Sequence, residues 1–103
     1  MSLDELKNSA AGRVIEPILT DAKNIGAMIA LSEHASIPAV QAVGKALTKV
    51  LGPAIDHDSR KAIGRWIAEI MAKEGWVPDR RGRVRDGHGF TRGMIYRPAD
   101  LPT

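Results

Sequence analysis

Six arginines stand between positions 80 and 97, at Arg80, Arg81, Arg83, Arg85, Arg92 and Arg97, against one acid, Asp86. No lysine is among them. The guanidinium group is planar, always charged and suited to bidentate contact with phosphate. A local excess of five positive charges attracts polyanions and makes their binding salt-dependent. Gly82, Gly87 and Gly89 lie among these arginines and let the backbone approach phosphates without side-chain obstruction. His88 sits at the same Gly-rich tip. A second basic set, Arg60, Lys61 and Arg65, recurs at helical spacing just upstream, where phosphates or guanine edges are in reach.

Other chemistries find less support. His34, His57 and His88 fall in three separate connectors. Asp56-His57-Asp58 has metal-binding residue types, but a helix cap with a polar neighbour explains it more simply. Gly87-His88-Gly89 lacks the GK[ST] continuation of a phosphate-cradling loop. There is no cysteine, which removes thiolate catalysis, disulfides and Cys-based zinc sites. The expectation is a chain that is not an enzyme and uses no metal or cofactor.

Each basic set also has a purely structural explanation. A charged outer helix face is often only a solvated surface. A basic hairpin can serve to keep an edge strand from aggregating. Six arginines against one acid exceed that need, so the hairpin carries the stronger functional signal. The four aromatics, Trp66, Trp76, Phe90 and Tyr96, are expected in packing rather than as base-stacking platforms.

The elements that must position these residues fit in one small domain of 103 residues, 44% apolar. Residues 1–52 hold five bases and five acids, so the net charge of +3 arises wholly from residues 53–103, with ten and seven. No apolar run approaches the roughly 20 residues that cross a bilayer. The opening MSLDELK carries acids where a signal peptide carries bases. A cytoplasmic location without membrane contact is the default.

Residues 1–13 read as a polar N-terminal arm, in which 4–12, with Gly12 at the end, form a short helix or fray. Val14, Ile15, Ile18, Leu19 and Ala22 have helical spacing, and Pro17 suits a first turn, so a helix is expected over 16–33. Asn24 offers a second N-cap within it; one unbroken helix from 17 is the alternative. Pro38 at a first helical position, followed by Val40, Val43, Leu47, Val50 and Leu51, predicts a helix over 38–51 closed by Gly52-Pro53. Asp56 or Asp58 caps the next helix, 58–74, whose stripe of Ile63, Trp66, Ile67, Ile70 and Met71 ends at Gly75. Arg60, Lys61, Gly64, Arg65 and Ala68 fall on its solvent face. Period-two alternation then predicts a hairpin over 76–97, with Phe90, Arg92, Met94 and Tyr96 on one face and Thr91, Gly93, Ile95 and Arg97 on the other. Residues 99–103 read as a tail. The expected core joins Val43 and Leu47 to Ile63, Trp66, Ile67, Ile70 and Trp76.

The whole is an α+β fold, mainly α: four or five helices followed by a two-stranded β-hairpin over a single domain, 14–98. Helix, connector, helix and basic hairpin is the order of a winged helix-turn-helix.

The segment from Arg65-Trp66-Ile67 through Glu74-Gly75-Trp76, then Arg80-Arg81-Gly82-Arg83-Val84 and Tyr96-Arg97-Pro98, resembles the C-terminal end of phage and plasmid replication proteins of the primase–helicase type, including the virulence-associated protein E group. In that group a helix ends in a Gly-Trp pair, an arginine-rich hairpin follows, and an aromatic-Arg-Pro closes it. The likeness covers residues 58–98. It implies a winged-helix-like tail that follows a helicase domain, and a helicase or primase as partner. No Walker motif is present, so no ATPase activity carries over. Two forms stay open: a C-terminal piece of a replication protein, or a free-standing small protein of a mobile element. Residues 1–52 show no such resemblance.

These features favour non-enzymatic DNA binding, duplex before single strand. Arg60, Lys61, Arg65, Arg80, Arg81, Arg83, Arg85, His88 and Arg92 are the contact residues. A protein-interaction module that docks its basic hairpin on an acidic partner is the alternative, and RNA binding a third.

Overall fold

The computed structural model describes residues 2–34, 37–52, 55–84 and 93–100, with the backbone alone for 80–84 and 93. Five α-helices and one 3-10 turn precede a two-stranded antiparallel sheet. The helices are α1 (Leu3–Lys7), α2 (Ala10–Thr20), α3 (Ala22–Ser32), α4 (Gly44–Leu51) and α5 (His57–Lys73); the 3-10 turn is Ala39–Ala42, and the strands are β1 (Trp76–Val84) and β2 (Gly93–Pro98). The α+β class and the C-terminal hairpin therefore hold.

Of the two forms open to the N-terminal arm, the short helix is found, and it is packed into the core. Residues 3–7 form α1, which packs on α2 and α5. Leu6 is 1% exposed and belongs to the core. Next, α2 starts at Ala10 rather than near Glu16. Ser9 caps it, its hydroxyl accepting from the Gly12 N–H at 3.1 Å. Pro17 lies inside α2 with its ring exposed. There it deletes one backbone donor. The apolar face of Gly12, Ile15 and Leu19, all buried, outweighs that loss.

The break between α2 and α3 is one extended residue, Asp21, whose carboxylate accepts from the Lys23 N–H at 2.8 Å. The expected cap Asn24 instead sits within α3. Its amide donates to the Ile18 carbonyl at 2.9 Å, satisfying one of the open acceptors at the end of α2.

A single helix over 38–51 is also not found. Pro38 is extended, the 3-10 turn follows, and α4 begins after Val43 at φ −120°. The break falls at Val43, directly before Gly44, a residue that gives a continuous helix less support than any but proline. Val40, Val43 and Leu47 still reach the core, whereas Val50 stays exposed.

In α5 the expectation is met within one residue at each end. Asp56 Oδ1 accepts from the Ser59 N–H at 2.6 Å. At the far end Gly75 takes φ +86°, a left-handed conformation suited to glycine. Ala62, Ile63, Trp66, Ile67, Ile70 and Met71 are buried along one stripe. They meet Leu6, Ile15, Leu19, Met28, Val43, Leu47 and Tyr96 in one core. Trp76, expected there, is half-buried against it.

The sheet grows straight out of α5. Trp76, Val77 and Pro78 pair with Pro98, Arg97 and Tyr96; Arg83 and Val84 pair with Met94 and Gly93. Between these sets, residues 79–82 of β1 stand against Ile95 alone, a bulge. Simple alternation fails at this point, because Ile95 and Tyr96 are both buried, at 5% and 3% exposure. The Ala99 N–H donates to the Gly75 carbonyl at 2.8 Å and fastens the end of β2 to the end of α5. β1 packs on α5, and β2 on the 3-10 turn and α3.

Candidate nucleic-acid interface

The outward side of α5 is set by its buried stripe. With Ile63, Trp66, Ile67 and Ile70 inward, positions 61, 64, 65, 69 and 72 are left exposed. Lys61 and Arg65 stand there as expected, one turn apart. Gly64 between them is exposed, and a methyl group added to it meets nothing within 4 Å. Two expected members are less outward. Arg60 is half-buried, with its Nε enclosed. Ala68 is half-buried and packs against the core. Lys73, which the sequence reading did not single out, is exposed in the last turn.

Glu69 is the acid of this face, 52% exposed. Its carboxylate takes the Lys7 ammonium of α1 at 2.8 Å. The same ammonium lies 5.6 Å from the centre of the Trp66 ring, within cation–π range. Trp66 is thereby covered by α1 and is 5% exposed, a packing residue and not a stacking platform. No sequence signal reveals this contact, since 62 residues separate its partners.

The arginines of the hairpin divide by position. Arg80 and Arg81 lie in the bulge of β1, and Arg83 pairs across to Met94. Arg85, His88 and Arg92, and with them Phe90, lie outside the described residues. Arg97 is half-buried in β2 opposite Val77.

Two titrating groups are displaced from their ordinary ranges. The Ser59 backbone N–H and hydroxyl hold the Asp56 carboxyl below the usual carboxylate value. Burial pushes the Tyr96 phenol up to about 12. Asp56 thus acts as a cap within Asp56-His57-Asp58, and His57 opens α5 instead of lying in a connector. Among the described residues no three His, Asp or Glu side chains gather as a metal site requires. A cleft of about 160 Å³ lies between α1, α2 and the start of α5, lined by Leu6, Ala11, Ile15, Leu51 and Ile55. Its polar members, Asp56 and Ser59, already bond each other as the α5 cap. No described helix is long and apolar enough to cross a membrane. Neither a family model, nor a curated protein, nor a solved structure matches the chain.

Proposed function

We propose that this chain is a non-enzymatic DNA-binding domain whose arginine-rich hairpin lies along the phosphate backbone, beside α5, in the manner of a winged helix-turn-helix. The observation that carries this is the hairpin itself. It leaves α5 after the single glycine Gly75, and its strands and connection hold six arginines against one acid between Arg80 and Arg97. Lys61 and Arg65, exposed on α5 without an ion-pair partner among the described residues, add further positive charge. Gly64, with open space around it, lets the helix axis come close to a duplex. Phosphate contact is the main source of affinity, because arginine-rich hairpins grip the backbone without reading bases. The likeness of residues 58–98 to replication-protein tails supports a role in replication or regulation of a mobile element, with a helicase or primase as partner.

Fluorescence anisotropy with a random-sequence duplex tests the proposal. Binding is expected in the micromolar range at low salt and collapses as salt rises. Replacing Arg81, Arg83 and Arg85 together with Glu abolishes it. Undetectable binding to duplex and to single strands at low salt overturns the proposal; an acidic protein partner then becomes the better account of the hairpin.

A further inference from the structure

We infer that Lys7 is a positioning residue for this interface: by holding the Glu69 carboxylate, it leaves Arg65 free for a polyanion. The inference rests on the nucleic-acid reading for its consequence, but not for its geometry.

Glu69 stands four residues after Arg65 and four before Lys73 on α5, and both spacings allow pairing along a helix. The carboxylate takes neither. It pairs at 2.8 Å with Lys7, which comes from α1. Arg65 and Lys73 have no ion-pair partner among the described residues. Two further contacts fix Lys7 in place. Leu6, beside it, is 1% exposed and anchors α1 in the core. The Trp66 ring lies 5.6 Å from the ammonium and favours the cation above its face.

Lys7 therefore neutralises the acid of the outward face from the side. Without it, the carboxylate turns to the cations one helical turn away, Arg65 and Lys73. The outward face then spends its own cations on Glu69, and fewer are left for the phosphates. The short helix α1 thus sets the charge of a surface built by α5.

A double-mutant cycle with the full chain and a fluorescent random duplex reads this directly. K7Q weakens binding about two- to fivefold, the range of an exposed ion pair. E69Q tightens binding more in the K7Q background than in wild type, and K7R keeps wild-type affinity. Equal effects of E69Q in both backgrounds overturn the inference, because Lys7 is then an ordinary phosphate contact. A second readout does not need DNA. In K7Q the NMR signal of the Arg65 Nε–H shifts as it engages Glu69, and in K7Q/E69Q it returns. A signal unmoved by K7Q overturns the inference. A wild-type chain without affinity for duplex sinks the nucleic-acid reading, and the Arg65 signal alone then decides whether Lys7 holds Glu69.

Discussion

Glycine at position 12 is a requirement of packing. It is buried in α2, and a Cβ built on it falls inside the envelope of the Leu6 carbonyl oxygen of α1. Main chain cannot move aside as a flexible side chain can. G12A is therefore expected to destabilise by about 1–3 kcal/mol, the usual range for overpacking. Gly26 is the contrast: it lies exposed inside α3 with nothing within 4 Å of an added methyl group. G26A is expected to stabilise by roughly 0.5–1 kcal/mol through helix propensity. Urea unfolding of both variants checks the pair, and a stable G12A contradicts the close approach of α1 to α2. Tyr96 supplies a pH prediction at the same scale. Its folded pKa, about 12, exceeds the ordinary 10.0. A raised value means that the folded state favours the neutral phenol. Stability from this group is whole below pH 10 and is lost as pH rises toward 12. As the only tyrosine, its ultraviolet titration is unambiguous. Y96F should lose less melting temperature than wild type between pH 9 and 11.

Among the elements, the most informative is the shortest. Isolated helices of one or two turns are not stable in water. Tertiary contact must hold α1, and Leu6 and Lys7 supply it. L6A is expected to cost roughly 2–5 kcal/mol and to release α1 from α5. Hydrogen exchange should then rise at residues 3–8 before it rises in α5. This helix also marks where the sequence was hard to read. The 58–74 helix was legible because a stripe of five apolar residues, an Asp cap and a C-terminal glycine all agreed. In residues 3–20 those signals conflicted. Leu6 and Leu3 are the apolar residues of a polar stretch, so the burial of Leu6 depends on α5, which begins 51 residues later. Pro17 pointed to a helix start, yet the cap is Ser9. Caps at Ser9 and Asp21 bond within two or three residues, whereas Asn24, of equal capping type, donates instead to the Ile18 carbonyl. In the sheet, alternation was legible up to the bulge, which a period-two pattern does not encode. Of the candidate interface, Lys61 and Arg65 were readable from helical spacing alone. The role of Glu69 depends on Lys7, 62 residues away in sequence.

Over the whole molecule, charge is unevenly shared. The first 52 residues are neutral, and the second half carries the net +3. On the proposed function, this imbalance steers a polyanion to the second half of the sequence, and within it to the hairpin. Two kinds of partner fit such a field, and they differ in salt response. A duplex releases condensed counterions when phosphates are neutralised, with a slope of about −0.9 per contact in log K against log salt. An acidic polypeptide has a far weaker counterion atmosphere to release. Titrating one preparation against a random duplex and against polyglutamate therefore separates them. DNA binding predicts a steeper slope for the duplex, reduced by about one for each hairpin arginine changed to glutamine. Reversal of Arg81, Arg83 and Arg85 to Glu lowers the charge by two at each position and takes the net charge from +3 to −3. Reversal of Lys45 and Lys49, both exposed on α4, with Lys23 of α3 gives the same −3 on another surface. If the hairpin is the contact, the first triple variant loses duplex binding while the second keeps most of it. Equal losses in the two variants would mean that net charge alone drives association, and the hairpin would have no special place in it.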